Sequence, residues 1–228
     1  MGNILNIRSL IKSCFTVLCI FLLNAPSFSE PPNIALLKEE VKTYHDSGAY
    51  EKEITATLKK AHDFMMNRVN ANAKLKHPQN LAVVLDIDET SLSNYPSLVK
   101  YQFTFSRKRA HETNLQANAA VIKPMRDFFE QARKNGVSVF FVTGRVESER
   151  HATEKNLKRA GYHGWTALYL KPNDYKNSSA IEYKTNMRAK ITQEGYTIIA
   201  SIGDQVSDLI GGYAEQTYKL PNPYYYLP

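Results

Sequence analysis

Apolar positions along the chain change their period several times. Residues 34–46 place Leu37, Val41 and Tyr44 at helical spacing, and Ser47-Gly48 closes that stretch with a glycine suited to the left-handed position after a helix. From about 50 to 74 a second stripe, built from Ile54, Leu58, Ala61, Phe64, Met65 and Val69, predicts a longer amphipathic helix. The helical period then stops. Residues 81–87 (LAVVLDI) form a short, near-continuous apolar run, as a strand buried on both faces does. Pro124 opens a helix ending at Gly136, with Met125, Phe128, Phe129 and Ala132 inward. The strand pattern returns at 137–142 (VSVFFV), 166–170 (TALYL) and 196–202 (YTIIASI), and more briefly at 216–220. A polar helix is expected at about 147–160. Another runs from the capping-box pattern Ser179-x-x-Glu182 to Gly195. Residues 91–123 are the least regular part. Strands alternating with helices predict an α/β fold, a Rossmann-like parallel sheet flanked by helices. Residues 30–76 read as an N-terminal helical extension and 77–228 as the core.

The first 29 residues fit none of these elements. Arg8 and Lys12 precede an apolar run, Cys14 to Leu23, broken only by Thr16, and small residues follow. That order is the pattern of a signal peptide, and the run is too short to span a membrane. The expectation is an exported protein, periplasmic or secreted, with no stable membrane anchor after cleavage near Ser29. Both cysteines lie in this leader, so the mature chain would have no disulfide or thiol chemistry.

Composition adds little to the fold and something to the function. The 228 residues are 43% hydrophobic and carry a net charge of +7, enough apolar residue for a core without staples. Removing the leader leaves 27 basic against 22 acidic side chains. No basic-aromatic stripe points to nucleic acid, so small phosphorylated substrates are the expected partners of this surplus. A homo-oligomer is left open.

In parallel sheets ligands bind at the carboxyl ends of the strands. The first strand ends in Asp86-Ile87-Asp88-Glu89-Thr90, the second in Thr143-Gly144-Arg145 and the fourth in Gly203-Asp204-Gln205-Val206-Ser207-Asp208. Each fragment alone occurs by chance as a turn or a cap. Together they bring Asp86, Asp88, Asp204 and Asp208 to one edge of the sheet. Four carboxylates in one place repel unless a cation sits among them. Oxygen ligands without His or Cys suit Mg²⁺.

These ordered motifs resemble those of the haloacid dehalogenase (HAD) superfamily of phosphohydrolases. YHDSGAY (44–50), DIDETSLSN (86–94), GDQVSDLI (203–210) and KLPNPYY (219–225) are similar to its acid phosphatase branch, subfamily III, with the plant vegetative storage proteins and secreted bacterial enzymes. Val206 departs from that branch, which commonly has Trp after GDQ. The resemblance implies Asp86 as nucleophile and Asp88 as general acid and base. It also implies Thr143, Gly144 and a lysine on the phosphate. Mg²⁺ would be held by Asp86, the Asp88 carbonyl and Asp204, with Asp208 contacting a metal-bound water or orienting the site. For the lysine, Lys184 is preferred, four residues before Arg188, over Lys171 and Lys190.

The implied activity is an acid phosphatase acting through an aspartyl-phosphate on varied phosphomonoesters, nucleotides included. A phosphotransferase, or a catalytically weak storage or binding protein, is the alternative on the same scaffold. The segment between the first two motifs is too short for a large cap domain and is expected to form an irregular lid. There Tyr95, Tyr101 and Phe103 could stack on a leaving group or pack in the core, and Arg107-Lys108-Arg109 could gather anions. His151 and His163 read as solvent-facing.

Overall fold

The computed structural model describes residues 30–176 and 179–227; the predicted leader lies outside them. Two units divide the chain, and the architecture here is that of the second, from Lys38 onward. The elements are α1 (Ile34–Asp46), α2 (Ala49–Asn72), β1 (Asn80–Leu85), β2 (Leu92–Ser93), α3 (Tyr95–Lys100), α4 (Arg107–Leu115), β3 (Ala120–Val121), α5 (Lys123–Lys134), β4 (Ser138–Val146), α6 (Arg150–Arg159), β5 (Ala167–Lys171), α7 (Ile181–Gln193), β6 (Tyr196–Gly203) and β7 (Gln216–Lys219). Five strands form one sheet in the order β5-β4-β1-β6-β7, and every neighbouring pair is parallel. Strand β1 lies at its centre, with Ala82 opposite Ser138 on β4 and Leu81 opposite Thr197 on β6.

Alternation along β1 divides the core. Leu81, Val83 and Leu85 face a layer built by Ile54, Leu58, Ala61 and Met65 of α2, Met125, Phe128 and Phe129 of α5, and Leu157 of α6. Ala82 and Val84 face the other way, onto Tyr183 and Ile191 of α7. The α2 stripe therefore packs into the main core. Between α1 and α2 the chain turns at Gly48, whose φ of 82° suits a residue without Cβ.

Three local expectations need correction. Strand β4 does not stop before the polar motif. It runs on through Thr143-Gly144-Arg145 to Val146, with its pairing to β5 shifted between Val142 and Val146. The apolar run ends at Val142, but the pairing outlasts it. Helix α7 starts after Ala180, and the Ser179 hydroxyl accepts the Ile181 N–H at 3.1 Å rather than capping one turn further on. Residues 91–123 hold two short helices, α3 and α4, and a two-stranded antiparallel sheet pairing Leu92 with Val121 and Ser93 with Ala120. Neither helix buries a residue, so neither leaves an apolar stripe in the sequence.

Candidate active site

The site is built where β1, β4 and β6 end. The Asp86 N–H still donates to Ile202 O of β6, at 3.0 Å, so the first carboxylate is held by the sheet itself. The chain then folds back on itself. The Ile87 carbonyl accepts the N–H groups of Ser91 and Leu92, both at 2.8 Å, and the Ser91 hydroxyl donates to Asp86 O at 2.7 Å. Glu89 takes a left-handed backbone, φ 53°, inside this turn.

Lys184 on α7 reaches the cluster from the other side. Its buried ammonium donates to Asp86 Oδ1 at 2.7 Å and also to Asp208 Oδ1. Asp208 Oδ2 accepts the Gln205 N–H at 3.0 Å. Asp204 accepts from the Thr90 hydroxyl at 3.0 Å and from Asn222 Nδ2 at 2.7 Å. Carboxylate oxygens of Asp86, Asp204 and Asp208 lie within 4.8 Å of one another, and all three residues are buried. A Cβ placed on Gly203 would lie 2.2 Å from the Asp208 carboxyl carbon, so only glycine there allows this approach.

Burial pushes the Asp86 carboxyl well above its usual range; Lys184 opposes this, and Asp208 and Asp204 add to it. Burial also raises Asp204, reinforced by Asp208. Three buried oxygen donors whose charges repel one another suit a hard divalent cation.

Asp88 points elsewhere. Arg145 holds it in a two-point ion pair, Nη2 to Oδ1 at 2.7 Å and Nε to Oδ2 at 3.0 Å, and Asn94 Nδ2 donates to Oδ1 at 2.8 Å. Burial would raise this carboxyl, but the guanidinium outweighs it and holds the group below the usual range. Burial, with Asp88 and Asp204 nearby, pushes Glu89 up to about 8. Its carboxyl accepts from the Tyr225 hydroxyl and, at 2.7 Å, from the Asn94 N–H.

A cavity of about 540 Å³ opens above these groups. Asp86, Asp88, Gly144, Lys184 and Asp204 border it, while α3 and α4 supply one wall. The wall of 94–114 is thus more ordered than an irregular lid. Thr143 is buried, and its hydroxyl accepts the Arg145 N–H at 3.2 Å.

The family model for the HAD superfamily, subfamily IIIB (acid phosphatase), matches residues 28–228. The chain belongs to this family. Among similar proteins, the stem 28 kDa glycoprotein of Glycine max is 38% identical over 157 residues, 66% of this chain and 61% of that protein. Acid phosphatase 1 of Solanum lycopersicum is 34% identical over 148 residues, 63% of this chain and 58% of that protein. The chain thus aligns with less than two thirds of the length of these relatives. The class C acid phosphatase from Bacillus anthracis shares the fold, with a TM-score of 0.64 at 20% identity, covering 84% of this chain and 86% of that one.

On this subfamily IIIB scaffold Asp86, Asp204, Asp208 and Lys184 form one contact network, with Asp88 beside it on Arg145. Lys171 borders the same cavity without reaching Asp86, and Lys190 faces outward against Glu194 and Tyr169. Tyr95 and Phe103 pack with Tyr224, whereas Tyr101 borders the cavity with Arg109 4.8 Å from its ring. His151 and His163 are exposed. Val206 is 40% exposed. Sequence reasoning missed Arg145, Glu89, Asn94, Asn222 and Tyr225. Arg145 stood in the quoted motif, but its partner is 57 residues away.

Proposed function

We propose that the protein is an exported, Mg²⁺-dependent acid phosphatase that hydrolyses phosphomonoesters of varied leaving group, nucleotides included, through an aspartyl-phosphate. The observation that carries this reading is the buried Lys184 ammonium held between Asp86 and Asp208, with Lys184 and Asp86 bordering the cavity. In this reading Asp86 is the nucleophile. Its Oδ attacks phosphorus, the ester P–O bond breaks, and the phosphoryl group passes to the carboxylate. Lys184 places positive charge beside the reacting oxygen and the incoming phosphate. Gly144 of β4 borders the cavity and offers its backbone there, while Thr143 is buried beside it, away from the cavity lining.

Asp88 transfers protons. It gives one to the leaving oxygen and later takes one from the water that attacks the acyl phosphate. Arg145 holds its carboxylate in one orientation and favours the ionised form, so the proton donor becomes more populated as pH falls. Mg²⁺ held by the carboxylates of Asp86 and Asp204 and the Asp88 carbonyl, with Asp208 closing the cluster, would supply positive charge against carboxylate–phosphate repulsion. The wide cavity, bordered by Tyr101 and Phe105, supports tolerance of aryl and nucleoside groups.

The test is hydrolysis of p-nitrophenyl phosphate and a nucleotide panel by the mature protein, with Mg²⁺ and with chelator. Turnover that requires the metal, and falls by about a thousandfold or more in Asp86→Asn with an unchanged circular dichroism spectrum, is expected. Near-normal turnover in Asp86→Asn would overturn the mechanism.

A further inference from the structure

We propose that the cavity holds a second anion subsite centred on Lys171, and that the preferred substrates carry a second phosphate on their leaving group. This rests on the phosphatase reading above and extends it to a substrate class.

Lys171 is the last residue of β5, in register with Val146 at the end of β4. It therefore stands at the same carboxyl edge as the catalytic cluster, one strand further out. Only 8% of its surface is exposed, and it borders the cavity. The other cations beside the reacting centre are matched. Lys184 has Asp86 and Asp208, and Arg145 has Asp88. Lys171 has the ring of Tyr175, 4.9 Å from its ammonium, and among the described residues no carboxylate pairs with it. The acids bordering the cavity are all engaged: Asp86 and Asp88 as above, Glu89 with the Tyr225 hydroxyl and the Asn94 N–H, Glu149 with His111 and the Val146 N–H, and Asp204 with Thr90 and Asn222.

A buried ammonium without a counter-ion is costly. Burial, followed by the charges of Arg107 and Lys184, pulls the Lys171 ammonium below its ordinary value. Arg107 of α4 and Lys184 of α7 border the same cavity. An anion arriving here would give the Lys171 ammonium the counter-ion it lacks. The first phosphate occupies the Asp86–Lys184 end, so the second anion must belong to the leaving group.

The experiment compares Mg²⁺-loaded wild type with Lys171→Met and Lys171→Arg by titration calorimetry. The probes are methylphosphonate and a series of alkylene diphosphonates of increasing linker length, with free Mg²⁺ held constant. In wild type at least one diphosphonate is expected to bind about tenfold more tightly than methylphosphonate, as a charge-assisted contact would give. That ratio should fall towards one in Lys171→Met and recover in Lys171→Arg. If no diphosphonate outbinds methylphosphonate, or if the ratio is the same in Lys171→Met, the subsite does not exist.

Hydrolysis of p-nitrophenyl phosphate by the same preparations separates the two readings. Turnover without a diphosphonate preference sinks the subsite and leaves the phosphatase. A Lys171-dependent preference without turnover sinks the phosphatase and leaves the subsite.

Discussion

Lys184 is buried between two acids, and its ammonium is held well above its ordinary range by them against the cost of burial. Breaking a buried pair costs more than the pair contributes, because the remaining charge stays in the interior. Lys184→Met is expected to lower unfolding free energy by about 3–5 kcal/mol at neutral pH without metal. Added Mg²⁺ should recover part of that loss by neutralising Asp86 and Asp208. Denaturant titrations with and without the ion measure both effects. A neighbouring constraint is steric. Gly203→Ala would drive a methyl group into the Asp208 carboxyl. Displacing that carboxyl is expected to cost about 1–3 kcal/mol and to reduce kcat, which melts and steady-state kinetics would show. At this scale the acidic ends of β1 and β6 were readable, because polar residues abruptly follow buried strands. Tyr225 on Glu89 was not, since the two lie 136 residues apart and no local pattern joins them.

Among the elements, α2 shows how far a helix that reads as an appendage can enter the core. Tyr50, Ile54, Leu58, Ala61 and Met65 are all buried. Met65→Ala removes a side chain with no exposed surface and is expected to destabilise by about 2–5 kcal/mol, measured as a lower denaturation midpoint with an unchanged slope. Helix α1 is tied differently. Its final residue, Asp46, accepts from Lys42 and from the Tyr95 hydroxyl at 2.8 Å. Lys42, then Tyr95, holds the Asp46 carboxyl down at about 2. The native state therefore binds this proton less readily than the unfolded chain, whose carboxyl titrates near about 4. The stabilisation is present above that value and disappears as pH falls through about 2. Asp46→Asn is expected to melt below wild type at neutral pH, with the gap closing between about pH 4 and 2; melts across that range would follow it. The helical stripes of α2 and α5 were legible because each buries one face; α1 fully buries no residue, and only Val41 and Tyr44 of its stripe are partly covered against the core. Helices α3 and α4 bury none, and β4 outlasted its own apolar run because Arg145, paired with Asp88, can be buried as a charge.

Across the molecule, sheet order places the cluster. Strands β1, β4 and β6 are adjacent, so three motifs spread over more than 100 residues end side by side. A metal bound there stabilises the whole fold by mass action. Mg²⁺ at a hundredfold excess over its Kd should add about 2.7 kcal/mol to stability, and chelator should both remove that increment and stop turnover. Among the described residues no helix is long and apolar enough to cross a membrane. The small sheet pairing Leu92 with Val121 and Ser93 with Ala120 has its own consequence. It ties the two ends of the 94–119 excursion together, beside β1 but outside the five-stranded ladder. Closing a longer loop costs only the logarithm of its length. The stem thus works as a socket: an excursion of another length can be seated above it while the strands that align the acidic cluster keep their register.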